Sequence, residues 1–155
     1  MSEAVKTKVE SALKAAGLTA DLTVKNPRRI YLQIDPKDLV QTARAIFALP
    51  GVRFAIASGM QTGTGFEVLY HFAFDSDNCL VNVRVFTEED PPVFDSISSV
   101  VLAAQYIERE MHDLLGLQFR NHPGLERILL SEDWPEGVYP LRRGKPWEGK
   151  VEKRI

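Results

Sequence analysis

One cysteine, Cys79, stands in 155 residues. A disulfide within the chain is thereby excluded, and so is an iron–sulfur cluster, which normally takes about four thiolates. With no CxxC pair and no neighbour that would activate it, Cys79 reads as a small apolar residue. No apolar stretch approaches the roughly 18 residues that a bilayer-spanning helix needs, so direct membrane insertion is not expected. Basic charge is not in excess. The formal net charge is −2 and the sequence pI about 5.9. No helix shows a basic face, and the strands lack the aromatic–basic interleaving of RNA-binding sheets, which argues against nucleic acid as a partner. The glycines of "SGMQTGTGF" (Ser58–Phe66) lack the lysine and hydroxyl residue of a phosphate-cradling loop and read as a hairpin turn. The start "MSEAVKTKVESALKAAGL" carries acidic residues and helical periodicity, unlike a signal or transit peptide. A cytoplasmic, reducing environment is the expectation.

What is present is an α+β pattern. Val5, Val9, Ala12, Leu13 and Ala16 recur at helical spacing, with Gly17 as a stop. "RRIYLQID" (Arg28–Asp35) alternates as a strand. Pro36 then opens a second helix with Leu39, Val40, Ala43, Ile46 and Phe47 on one stripe. Three strands follow, over 52–60, 66–74 and 79–86, joined by "QTGTG" and "DSDN". His71, inside "LYHFAF", reads as a packed or interfacial sheet residue. The prolines and four acids of "TEEDPPVFDS" (Thr87–Ser96) predict a loop. Val100, Ala104, Ile107, Met111 and Leu114 predict a third helix, and Gly116 its C-cap. The fold class is therefore α+β: a mostly antiparallel sheet of about four strands, three helices and an extended C-terminal arm. The division is an α+β domain over 1–116 and a docking segment over 117–155.

Periodicity ends at Gly116. From there to Ile155 lie five of the ten glycines and four of the nine prolines, with Trp134, Tyr139 and Trp147. Arg142 to Ile155 sums to +4 and the remainder to −6. An aromatic, basic arm on an acidic body suits docking on a partner, because nearly forty irregular residues rarely serve a compact domain by themselves.

Charge is concentrated in "EREMHDLLGLQFRNHP" (Glu108–Pro123). Glu108 and His112 share a helix face, as do Arg109 and Asp113. A zinc site of the H-E-x-x-H kind would need a second helical histidine, and His122 lies past the helix end. Arg109 and Asp113 fall well away from the Ile107/Met111/Leu114 stripe, which places them to meet a neighbour.

The run "YIEREMHDLLGLQFRNHPGLERILLSEDWPEGVYPLR" resembles the signature of the C subunit of NADH:quinone oxidoreductase (respiratory complex I), roughly E-R-E-x-x-D-[LM]-[FL]-G-[IL]-x-F-x-[GN]-H-P-x-L-x-R-[IL]-L. Glu108, Arg109, Glu110, Asp113, Gly116, Phe119, His122, Pro123, Leu125 and Arg127 match it. With "ASGMQTGTGFEVLYHFAFD" upstream, the resemblance covers about residues 28–143. Leu115 and His112 stand where that family usually has aromatic or apolar residues, and "VYPLRRGKPWEG" replaces its usual terminal run. "HDLLGL", "NHP" and "EDWPEGVYPLR" look more like the homologous small subunit of energy-converting (group 4, membrane-bound) nickel–iron hydrogenases.

The resemblance implies a subunit with no catalytic residues, no cofactor and no metal of its own. It would sit peripherally on the inner face of the cell membrane, against a large subunit with an iron–sulfur subunit nearby. The interface residues it implies are Glu108, Arg109, Glu110, Asp113, Phe119, His122, Pro123, Arg127, Trp134, Tyr139 and Arg142. Two other readings follow from the residues: a stand-alone metal-dependent enzyme using Glu108, His112, Asp113 and His122, or a small nucleic-acid-binding module.

Overall fold

The computed structural model describes residues 2–144. Three helices and a mixed, mostly antiparallel five-stranded sheet make an α+β fold. The elements in chain order are α1 (Ser2–Ala15), β1 (Asp21–Asn26), β2 (Arg29–Gln33), α2 (Leu39–Phe47), β3 (Val52–Gln61), β4 (Phe66–Phe74), β5 (Cys79–Thr87), β6 (Val93–Asp95), α3 (Ala104–Leu115) and β7 (Gln118–Arg120). The sheet runs β1-β2-β5-β4-β3, with β2 and β5 parallel and the other pairs antiparallel.

Period-two alternation decides which face is buried. Phe66, Val68, Tyr70, Phe72 and Phe74 of β4 line the inner face beside Val81, Val83 and Val85 of β5. Val5, Val9 and Leu13 of α1 and Ala43 and Ile46 of α2 close over them. Phe54 meets Phe72 edge to face at 5.8 Å between ring centroids, a favoured aromatic geometry. Cys79 is buried there too, and burial pushes its thiol pKa up.

Pro36 opens a short 3-10 turn, Pro36–Asp38, before α2. The "QTGTG" and "DSDN" connections are turns, the second closing with Asn78 left-handed at φ 45°. Two features depart from the sequence expectation. β1 has no counterpart among the expected strands: six residues with only Leu22 and Val24 turned toward the core make a weak signal. The acidic loop is not all loop. Its Val93–Asp95 pairs in parallel with Gln118–Arg120, bringing Phe94 within 6.3 Å of Phe119. Three-residue strands show no periodicity, and this pairing is long-range.

α3 crosses the inner face at β3, where the backbone of Gly59 faces Met111. A Cβ on Gly59 would lie 2.8 Å from the Met111 sulfur and 3.2 Å from Leu115 and Leu117 side-chain carbons, so the missing side chain makes room for this close approach. The helix ends at Gly116 with φ 70°, its N–H bonding the His112 carbonyl, as expected of a glycine C-cap. The chain does not leave the domain there. Leu117 and Phe119 belong to the same core as the sheet.

Candidate functional site

The charged stretch of α3 separates by helical angle into an inward and an outward set. Inward, Ala104, Glu108, Met111 and Leu115 are buried, while Ile107 and Leu114 are half-exposed. The buried stripe is therefore rotated by about one position from the apolar one. Glu108 causes this: it is fully buried, and its carboxylate accepts from Tyr70 Oη (3.2 Å), the Ile97 N–H (2.9 Å) and Ser96 Oγ. With its hydrogen given to Glu108, Ser96 Oγ is left to accept from the Ser98 hydroxyl at 2.6 Å and the Ser98 N–H at 3.1 Å. Burial pushes the Glu108 pKa up, and the Ser96, Ile97 and Tyr70 donors offset that only in part. Four segments, β4, the 96–98 turn, α3 and the His122 corner, meet around this one side chain.

The His122 side chain is buried beside it. Its Nδ1 accepts from the Gly124 N–H (3.1 Å), so its Nε2, 3.1 Å from the Gln105 carbonyl, carries the hydrogen. Glu108 Oε2 lies 4.0 Å from that nitrogen.

Outward, Arg109 and Asp113 hold the tail. Arg109 Nε and Nη2 donate to the carbonyls of Glu126 (2.9 Å) and Arg127 (2.7 Å). Asp113 Oδ2 accepts from the backbone N–H groups of Ile128 (2.8 Å), Leu129 (2.8 Å) and Leu130 (3.2 Å). Burial alone would raise the Asp113 pKa. The three N–H donors outweigh it and hold the carboxyl below its ordinary value.

The tail's own side chains complete the attachment. Arg127 Nη1 donates to the carbonyls of Ser131 and Trp134, and Trp134 Nε1 to that of Val138. Arg142 donates to the Leu115 carbonyl (2.7 Å) and Asp90, and its guanidinium stacks over Phe66 and Tyr139 at 4.8 and 4.9 Å.

The chain is similar in sequence and in fold to known proteins. The model of the respiratory-chain NADH dehydrogenase 30 kDa subunit matches residues 32–151. The chain belongs to that family. The C subunit of NADH-quinone oxidoreductase from Streptomyces coelicolor is 30% identical over 152 residues, covering 91% of this chain and 60% of that protein. The Roseiflexus counterpart is 32% identical over 143 residues, covering 88% and 76%. The chain thus spans about 60% of the length of the Streptomyces relative. Two solved structures share the fold at low identity. A trypsin-resistant fragment (1–134) of Nqo5 superposes with a TM-score of 0.63 at 20% identity, covering 77% of this chain and 98% of the fragment. A chain of the archaeal membrane-bound sulfane sulfur reductase superposes with 0.76 at 19% identity, covering 88% and 82%.

Within this member of the 30 kDa family, the expected interface residues sort unequally. Glu108, Phe119 and the His122 side chain face the core, and Asp113 faces outward but is buried beneath the tail, so in this chain none of the four is exposed: a satisfied carboxylate packs like any core residue. Arg109, Arg127 and Arg142 are engaged with their own chain's carbonyls. Glu110, Trp134 and Tyr139 are half-exposed, and Pro123 is exposed. The tail through residue 144 lies on its own domain, where the sequence suggested a partner; Trp147 lies outside the described residues. Of the four residues of the metal-enzyme reading, only Glu108 and His122 come together, and the other two point elsewhere. His112 Nδ1 bonds the Leu117 carbonyl, Asp113 faces the tail, and Glu108 faces Tyr70 and Ser96.

Sequence reasoning missed the outermost residues. Leu102 and Tyr106 precede Arg109 and Asp113 on the same face of the α3 region and are 71% and 62% exposed. Leu129, in the segment that Asp113 pins, is 54% exposed, and Leu141 is 57%. The signal was available: apolar residues at helical spacing opposite an already complete core stripe.

Proposed function

We propose that this chain is a non-catalytic structural subunit of a membrane-associated complex I-like oxidoreductase or energy-converting hydrogenase. It docks in the peripheral arm on the large subunit, with an iron–sulfur subunit nearby. The observation that carries this reading is the line of exposed apolar side chains, Leu102, Tyr106 and Leu129, along the helix face that holds the tail. Protein interfaces draw their affinity from buried apolar and aromatic anchors ringed by polar groups. Here Arg109 and Asp113 fix the tail backbone that presents Leu129, α3 and the turn before it present Tyr106 and Leu102, and Glu110, Pro123, Trp134 and Tyr139 supply the rim. Family membership supports the assembly role. No helix among the described residues is long and apolar enough to cross a membrane, which fits a peripheral position. The "EDWPEGVYPLR" run favours the hydrogenase-like branch.

Tagged chain isolated from native membranes should bring down a large subunit with paired CxxC motifs, identified by mass spectrometry. Leu102→Asp with Tyr106→Asp should weaken that association tenfold or more, about 1.4 kcal/mol, and leave the melting temperature of the isolated chain unchanged. Recovery of the chain free of other subunits, or full retention of the complex by the double variant, overturns the reading.

A further inference from the structure

The sheet has a second face. Along β3, β4 and β5 the register pairs Ile56 with His71, Ser58 with Leu69, Met60 with Glu67, and His71 with Asn82. These residues point away from the helices, and none of them belongs to the main core cluster. At its centre stands a connected array. Ser58 Oγ lies 3.2 Å from His71 Nε2, and His71 Nδ1 lies 2.6 Å from Asn82 Oδ1. Asn82 Nδ2 donates to the Ile30 carbonyl at 2.9 Å.

That last bond fixes the chemistry. A carbonyl only accepts, so the asparagine nitrogen faces Ile30 and its oxygen faces the histidine. His71 Nδ1 must therefore carry a hydrogen, and in the neutral ring the Nε2 lone pair is left to accept the Ser58 hydroxyl. A hydroxyl on a histidine whose other nitrogen is held by a third group is the arrangement that activates a serine. Ser58 is exposed, and it is flanked along β3 by Ile56 (51% exposed) and Met60 (44%), with Leu69 directly across. These three give the nucleophile an apolar surround suited to a small acyl group.

We propose that Ser58 is a nucleophilic site for small activated esters, with His71 as its general base and Asn82 as the positioning residue. Ser58 Oγ would attack the ester carbonyl while its proton passes to His71 Nε2. The bond to the leaving alkoxide breaks, the alkoxide takes that proton, and an acyl-serine remains. Water, deprotonated by the same nitrogen, would return the serine and release the acid. This activity lies on another face from the docking surface and is separate from the reaction of the parent complex, in which the chain takes no catalytic part.

The test is labelling of the isolated full chain with a fluorophosphonate, which loses fluoride to an activated serine, followed by peptide mapping. Ser58 should label at least tenfold faster than Ser76 and Ser131, which are exposed and have no histidine partner among the described residues. His71→Ala should lower the Ser58 rate by about tenfold or more, the low side of general-base assistance. Asn82→Asp, which still accepts from Nδ1, should keep more of the rate than Asn82→Ala. No adduct at Ser58, or a Ser58 rate equal to those of Ser76 and Ser131, overturns the proposal. So does an undiminished rate in folded His71→Ala. Should that variant not fold, the comparison among serines in the native chain decides alone.

Discussion

Arg109 and Asp113 stand one turn apart on α3 and grip one stretch of tail with opposite polarity. The guanidinium takes the carbonyls of Glu126 and Arg127, and the carboxylate takes the next three N–H groups, of Ile128, Leu129 and Leu130. A segment with no ladder of its own thus has backbone groups of five consecutive residues satisfied by two side chains. Irregular chain packed on a domain needs such partners, because unpaired backbone groups are costly to bury.

Asp113→Ala is expected to release this clamp. Amide exchange at Ile128, Leu129 and Leu130 should lose its protection while β4 and β5 keep theirs. The loss in global stability should be about 1–3 kcal/mol, the usual cost of stranding part-buried donors. Acid should mimic the variant. The folded carboxyl titrates below its ordinary 3.8, so its contribution is complete above that pH and disappears as pH falls through the lower, folded value. Protection that persists unchanged in Asp113→Ala would show that the tail is held by other contacts.

Arg109→Lys tests the other half. One ammonium cannot span two successive carbonyls as a planar guanidinium does. The lysine variant is therefore expected to behave like Arg109→Ala. Both should raise the rate of limited proteolysis between 120 and 130 and cost no more than about 0.5–1.5 kcal/mol in denaturant unfolding. A lysine variant indistinguishable from wild type would reduce Arg109 to a simple charge.

Glu108 gives a sharper contrast. Its carboxylate satisfies Tyr70, Ser96 and the Ile97 amide inside the core. Glu108→Ala should cost about 2–4 kcal/mol, from three stranded donors and a cavity. Glu108→Gln keeps one oxygen for Tyr70 and Ile97, and its amide can donate to Ser96, whose hydroxyl can turn to accept. It should fall within about 1 kcal/mol of wild type. The pH dependence separates the two forms. Because the folded carboxyl titrates above its ordinary 4.5, the unfolded chain ionises first. Wild-type stability then falls as pH rises from that value through the folded one. Denaturant midpoints measured from pH 4 to 8 should lack this descent in Glu108→Gln.

The same residue explains what was legible in the sequence. Strands β2 to β5 and the three helices could be read from alternation and spacing, because in each the buried residues are mostly apolar and near in sequence. The facing of α3 could not. Its buried stripe includes a glutamate, satisfied by Tyr70 and Ser96 from 38 and 12 positions away, and no local pattern announces such partners. β6, β7 and the tail's fastening to α3 fail for the same reason: they rest on pairings whose members lie far apart in the chain. Of the charged motif positions, Glu108 turns into the core and Arg109 and Asp113 turn to the chain's own tail, where the sequence pattern suggested a partner. The polar array of Ser58, His71 and Asn82 spans three strands, and only the sheet's register brings it together.

Gly116 and Gly51 form a matched pair for measuring how much the tail's packing contributes. Both have positive φ, 70° and 74°, where a Cβ strains the backbone by about 1–2 kcal/mol. Around Gly51 a Cβ meets nothing within 4 Å, so Gly51→Ala should show the backbone strain alone. Around Gly116 it would lie 2.5 Å from Tyr139 Cε2, with two further ring atoms within 2.8 Å. The ring cannot yield alone. It stacks on Arg142, which is tied to the Leu115 carbonyl and Asp90. Gly116→Ala should therefore displace Tyr139 and Arg142 together. Its excess cost over Gly51→Ala in denaturant unfolding measures their docking and should be about 1–2 kcal/mol. Adding Tyr139→Ala relieves the clash, so the double variant should lose no more than Tyr139→Ala plus the Gly51-like strain. Equal costs for the two glycine variants would mean that the tail moves aside freely and contributes little to holding the domain together.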